Sequence, residues 1–243
     1  MGRRGLRSAV VRAAGSTQRG SEQRAAAPEP AAVPRRKAGA RKVGILGGTF
    51  DPPHIGHLWL ATLAADGLDL GQVLLMPAAR PPHKRRQAVS NAADRVMMTR
   101  LAISGDPRLD LSLVEMERPG PSYTVDSLGQ LREQLGKDVG LVLIMAADSF
   151  AEIETWREPD RLLELAEWGI GPRPGTPLPD RIALRERFGA AAARIHLLDG
   201  PSLDLSSSDI RTRVAAGRPI RYLVPRAVEE LITARGLYKR KRP

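Results

Sequence analysis

The feature that most narrows the fold is an alternation along the chain. Short continuous apolar runs stand at Lys42-Val-Gly-Ile-Leu46, Gln72-Val-Leu-Leu-Met76 and Leu141-Val-Leu-Ile-Met145. Between them lie stretches with apolar residues at helical spacing, such as Ile55, Leu58 and Ala65. Runs without polar alternation suit strands covered on both faces, and covered strands joined by helices are parallel. Further strands are expected at Leu109–Met116, Trp168–Ile170 and Arg194–Leu198. Helices are expected at Ile55–Leu68, Asn91–Ser104, Thr124–Leu135, Pro159–Glu167, Ser207–Ala216 and Pro225–Arg235, with Asn91 as a cap and Asp94 in the first turn behind it. The reading is an α/β fold, a parallel sheet flanked by helices on both faces. Ligands of such sheets bind beyond the carboxyl ends of the strands.

Charge sorts the chain into three parts. The 243 residues carry a net charge of +11, yet residues 1–42 hold 11 basic and 2 acidic residues and residues 239–242 are all basic. Val43 to Tyr238 has 23 basic against 25 acidic residues, a net charge of −2. Residues 1–41, rich in Ala, Arg, Gly, Pro and Ser, cannot bury enough surface to offset their ordering entropy and are expected to be a disordered basic tail. Residues 42–238 form the expected single domain, and 239–243 a short basic tail. Either tail could bind nucleic acid without specificity, and the Arg-rich opening also has the texture of an organelle transit peptide. No stretch reaches the length of a membrane span, the opening lacks the apolar core of a secretory signal, and a cytoplasmic protein is expected. The absence of Cys excludes a disulfide scaffold, thiolate metal ligation and a Cys nucleophile.

The chemistry-bearing segments follow the strands. Gly47-Gly-Thr-Phe-Asp-Pro-Pro-His-Ile-Gly-His57 leaves the first strand and opens the first helix. Gly47 and Gly48 let backbone approach an anion, Thr49 and Phe50 continue the loop, and a helix start offers unpaired N–H groups. His54 and His57, three apart, share one face of the first turn. The segment is neither a dinucleotide fingerprint nor a Walker loop, and with no third ligand nearby no metal site is expected. Near the other end, Leu205-Ser-Ser-Ser-Asp-Ile-Arg211 places Ser206, Ser207 and Ser208 at a helix start, with Arg211 one turn in as a phosphate fork. Alone, it reads equally as a Ser-capped helix.

Together, Gly48-Thr-Phe-Asp-Pro-Pro-His-Ile-Gly-His57 and Leu205–Arg211 resemble the paired signatures of the nucleotidyltransferase superfamily. Pro81-Pro-His-Lys84, Ser122-Tyr-Thr-Val-Asp-Ser127, Ala147-Asp-Ser149, Trp156, Gly171-Pro-Arg-Pro-Gly175 and Tyr222-Leu-Val-Pro225 follow the order seen in bacterial nicotinate-nucleotide adenylyltransferases. The resemblance covers Val43 to Tyr238 and implies a Rossmann-like nucleotidyltransferase domain. It further implies AMP transfer from ATP to nicotinate mononucleotide, giving deamido-NAD and pyrophosphate, with Mg²⁺ carried in on ATP.

It also assigns roles. His54, His57, Lys84 and Arg211 would stabilise the reacting phosphates, and His83 with Lys84 would line the acceptor phosphate route. Gly47, Gly48, Thr49, Phe50 and Ser206–Ser208 would hold ATP, and Asp148 would face its sugar. Thr124 and the Val125 amide would meet the nicotinate carboxylate, and Trp156 would stack on the ring near the Arg157 amide. On residue type alone, Trp156 reads more readily as core, Asp148 as a helix cap, Lys84 as part of a solvated loop and Asp51 as a brace for the Gly-rich turn. Ala146, Ser127, Ser208 and Leu205 depart from the usual family residues without removing a charged group. A sister transferase using nicotinamide mononucleotide or another phosphate acceptor is the alternative.

Overall fold

The computed structural model describes residues 42–80 and 90–239. The expected N-terminal tail, His83, Lys84 and all of the basic C-terminal end except Lys239 lie outside the described residues. Six strands, β1 (Lys42–Gly48), β2 (Gln72–Pro77), β3 (Leu109–Leu111), β4 (Gly140–Ala146), β5 (Glu167–Gly171) and β6 (Ile195–Leu197), form one parallel sheet in the order β3-β2-β1-β4-β5-β6. The order reverses between β1 and β4, so the chain leaves these neighbours in opposite directions and opens a crevice at their carboxyl ends. The α/β sheet expected from the alternation is the fold observed.

Period-2 alternation sorts the core. Val43, Ile45, Leu74, Met76, Leu141, Leu143 and Met145 point to one face and pack with α4 (Thr124–Leu135), α6 (Pro159–Leu165) and α7 (Arg181–Phe188). Leu46, Val73, Leu75, Val142 and Ile144 point to the other and pack with α1 (Ile55–Gly67) and α2 (Ala92–Ile103). The α1 face needs glycine for close approach. A Cβ on Gly44 would stand 2.7 Å from Ile144 Cδ1, and one on Gly171 would stand 2.2 Å from Leu60 Cδ1. A third cluster, including Met98, Ile210, Val228 and Ile232, folds α8 (Ser207–Ala215) and α9 (Arg226–Ala234) back onto α2. That packing brings α8 against the loop after β1, where Ser207 Oγ donates to the Pro52 carbonyl at 2.8 Å.

The structure corrects two elements. The strand expected over Leu109–Met116 stops at Leu111, and Val114–Glu117 is a helical turn, α3. Ser112 N still donates to Leu75 O, but the next rung would need an N–H from Pro77, which has none. The helix expected to reach Glu167 ends at Leu165, because Glu167 starts β5 and accepts from Lys42 Nζ at 2.8 Å. α5 (Ala147–Ala151) and α7 are additional. α5 is too short for a periodic signal, and α7 buries only Leu184, being marked chiefly by its cap, Asp180, which accepts from Ile182 N and Ala183 N. Asn91 caps α2 as expected, accepting from Asp94 N at 2.8 Å.

Trp168 is the largest fully buried side chain, set edge-on to Phe150 and Phe188 at centroid distances of 6.2 and 5.6 Å. Its indole N–H has no hydrogen-bond partner among the described residues. Trp168→Ala is expected to cost roughly 3–5 kcal/mol in a urea melt. Trp168→Phe is expected to cost clearly less, since it keeps a ring in the cluster and removes the unsatisfied donor.

Candidate active site

The loop leaving β1 is held from behind. Phe50 adopts φ +49° with its ring fully buried, 3.0 Å from where a Cβ on Gly48 would stand. A side chain at position 48 would strike that ring. Arg95, buried on α2, donates to the carbonyls of Thr49 (2.9 Å), Ala78 (2.6 Å), Ala79 (3.2 Å) and Ser90 (3.1 Å). The Asp51 carboxylate, also buried, accepts from Ser90 N and from Tyr238 Oη at 2.7 Å. Arg211 donates from Nη1 to the Asp51 carbonyl at 2.8 Å and from Nη2 to Ser208 Oγ at 3.0 Å.

His54 caps α1 and His57 lies in its first turn. Their rings stack with centroids 3.7 Å apart, and Phe50 meets His57 edge-on at 4.9 Å. The His54 N–H donates to His57 Nδ1 at 3.2 Å. That nitrogen therefore carries a lone pair, and the ring proton of His57 sits on Nε2. Burial, and then the positive charge of Arg173, lower the His54 pKa to about 4 against an upward pull from Asp209. At neutral pH His54 is an uncharged imidazole.

These segments line a cleft of about 450 Å³ at the carboxyl ends of β1 and β4. Gly47, Gly48, Thr49, His54, His57 and Ser206–Ser208 share it with Asp148, just beyond β4. Ser122, Tyr123, Thr124, Trp156 and Arg157 line the same cleft. Trp156 does double duty, packing against the core while its surface lines the cleft. Among the residues singled out from sequence, Phe50, Val125 and Arg211 do not line the cleft. Phe50 backs His57, Val125 is buried in the core below the start of α4, and Arg211 ties α8 to the loop after β1.

The comparisons with known proteins agree with this layout. A cytidylyltransferase-like family model matches residues 45–213. The probable nicotinate-nucleotide adenylyltransferase of Thermomicrobium roseum is 46% identical over 198 residues, covering 82% of this chain and 92% of that protein. Its counterpart from Thermus thermophilus is 43% identical over 198 residues, covering 82% and 100%. The chain belongs to the nicotinate-nucleotide adenylyltransferase family. Among solved structures, the Plasmodium falciparum nicotinic acid mononucleotide adenylyltransferase complexed with NaAD superposes with a TM-score of 0.69 at 18% identity. It covers 82% of this chain and 97% of that one, which establishes the common fold.

Three charged residues of this family member carry no role in the sequence reading, although one, Arg173, lies in the Gly171-Pro-Arg-Pro-Gly175 segment. Arg173 lines the cleft, donates to the Leu205 carbonyl at 2.9 Å and pairs with Asp148 at 3.3 Å, so it joins the β4 and α8 sides. Its signal was a cation between two prolines just beyond a strand. Glu115 lines the cleft from the turn after β3, and burial raises its carboxyl pKa. Arg95 has no sequence signal, because an Arg in a helix ordinarily reads as part of a solvated face. No helix among the described residues is long and apolar enough to cross a membrane.

The lowered pKa of His54 is also a stability statement. The folded state favours the neutral ring, so stability is full above the unfolded pKa near 6.5 and falls as pH drops toward 4. The loss amounts to roughly 3 kcal/mol. Urea melts between pH 7.5 and 4 are expected to show a shallower decline for His54→Asn than for the wild type.

Proposed function

We propose that the cleft brings ATP and nicotinate mononucleotide together and transfers AMP to the acceptor phosphate, giving deamido-NAD and pyrophosphate. One observation carries the reading. The residues expected to bind phosphate (Gly47–Thr49, His54, His57 and Ser206–Ser208) and those expected to bind the acceptor (Thr124, Trp156 and Arg157) line a single cavity. The chain's relatives carry the same activity in their names.

An oxygen of the acceptor phosphate attacks the α-phosphorus of ATP in line. The new P–O bond forms as the bond from that phosphorus to the bridging oxygen breaks, and pyrophosphate departs with the bridging electrons. Such a transfer asks the protein for placement and charge stabilisation and for no covalent step. The Gly47–Thr49 backbone and the N-terminus of α8, with Ser206–Ser208, receive the triphosphate. His57 donates from Nε2 to the phosphates, and neutral His54 supports it by stacking and by its backbone N–H. Lys84 supplies positive charge, and Arg211, which does not line the cleft, holds α8 to the loop after β1 through Asp51 and Ser208. Asp148 meets the sugar hydroxyls. Thr124, at the start of α4, meets the nicotinate carboxylate, with Trp156 stacked on the ring and the Arg157 amide beside it.

Transferases of this kind use a divalent metal with ATP. We take it to be Mg²⁺, carried in with the nucleotide.

The test is pyrophosphate release from ATP with nicotinate or nicotinamide mononucleotide as acceptor. Release is expected with nicotinate mononucleotide and markedly less with the amide. Equal or reversed rates would transfer the assignment to the sister activity, and no release with either would refute it. His57→Ala is expected to keep the fold and lose about 10²–10³ in kcat, the effect of deleting one preorganised donor.

A further inference from the structure

The acceptor wall rests on a buried polar chain that the reaction itself does not use. Tyr123 and Thr124 share one planar peptide unit at the start of α4, so fixing the Tyr123 carbonyl fixes the direction of the Thr124 N–H. The carbonyl points along the helix, where it accepts from Ser127 N at 3.2 Å, and the N–H therefore points out of the helix start, on the segment that lines the cleft. Arg118 Nη2 also donates to this carbonyl at 3.3 Å, and Ser127 Oγ, 3.1 Å from it, has a single proton to share between it and Glu115.

Those donors are themselves held. Arg118 Nη2 also donates to Ser127 Oγ at 3.1 Å, and Ser127 Oγ donates to Glu115 Oε1 at 2.8 Å. Glu115 and Ser127 are buried, and Ser122 also bonds the Glu115 carboxyl. Arg118 Nη1 is buried with no partner among the described residues. That unsatisfied nitrogen is a cost, and the bonds Arg118 does make, both from Nη2, go to Ser127 Oγ and the Tyr123 carbonyl. Ser122 ties the preceding residues to the chain beyond β2, through Arg80 N to Ser122 Oγ at 3.2 Å and Ser122 N to Arg80 O at 3.1 Å.

We propose that Glu115, Ser127 and Arg118 are positioning residues of the acceptor subsite, which act through the Tyr123 carbonyl to aim the Thr124 N–H at the acceptor's carboxylate. The inference rests on the acceptor reading given above and deepens it. A charge-assisted hydrogen bond depends steeply on direction, so loosening this peptide weakens a carboxylate more than a carboxamide. The triphosphate side of the cleft, built on other loops, is left as it was.

Steady-state kinetics with each substrate varied in turn test this, on the full chain and on Arg118→Met, Ser127→Ala, Glu115→Ala and Glu115→Gln. Arg118→Met and Ser127→Ala are expected to raise the KM for nicotinate mononucleotide about tenfold, the scale of one misdirected bond. The ATP KM and kcat are expected to hold, and the preference for nicotinate over nicotinamide mononucleotide to fall by the same factor as the KM rises. Glu115→Gln, which still offers Ser127 an oxygen, is expected to recover most of what Glu115→Ala loses. If Arg118→Met does not fold, Ser127→Ala, which deletes one hydroxyl, gives the same reading. An unchanged acceptor KM in a folded variant, or an equal loss for both acceptors, would overturn the proposal. A wild type that turns over neither pyridine nucleotide would overturn the acceptor reading and this inference with it.

Discussion

Four carbonyls converge on the buried guanidinium of Arg95, and the active cleft takes its shape from that convergence. Thr49 belongs to the loop after β1, while Ala78, Ala79 and Ser90 flank residues 81–89 on both sides. One side chain thus fixes the strand β1 exit, the strand β2 exit and the approach to α2 at a single point. Hydrogen bonds to a charged group are each worth about 1.5–3 kcal/mol net, and a buried guanidinium tolerates its desolvation only with such a complete set. Asp51 supplies the compensating negative charge and is itself pinned by Ser90 N and Tyr238 Oη. The end of the domain is therefore fastened to its beginning, through a residue 187 positions away from Asp51.

This scaffold explains the electrostatics of the cleft. The protein handles anionic nucleotides with a body, Val43 to Tyr238, of net charge −2, so bulk positive charge is not the attraction. His54 adds no formal charge, since it is neutral at physiological pH. What the cleft offers is direction: N–H groups at the starts of α1, α4 and α8, and a His57 Nε2–H whose tautomer is set by a backbone donor. Oriented dipoles of this kind stabilise developing charge without reorganising during the reaction. Both basic ends of the chain are dispensable to that account.

Most of the fold was legible because it follows from burial. Covered strands carry unbroken apolar runs, and the runs at β1, β2 and β4 fell where the sheet has its centre. The edge strand β3 was misjudged because alternation in the chain says nothing about whether the neighbouring strand can continue, and Pro77 stops it. In the site, the residues on glycine-rich and serine-rich loops were legible from type and spacing, and the cleft gathers most of them. The supporting groups were not. Arg95, Arg173, Glu115 and Arg118 gain their meaning from carbonyls and hydroxyls that come close only in the folded chain. Phe50 and Arg211 show the converse, residues inside recognisable motifs whose observed contacts brace the loop rather than line the cleft.

The central claim is that the loop after β1 holds His57 as the Nε2–H tautomer, presented to the triphosphate before any substrate arrives. Nitrogen NMR of the ¹⁵N-labelled imidazoles in the free protein, followed by titration with ATP, tests it most directly. The account predicts an Nε2-protonated His57 in the free protein and a marked shift of that nitrogen as ATP binds. An Nδ1-protonated ring, or an Nε2 resonance indifferent to saturating ATP, would contradict it.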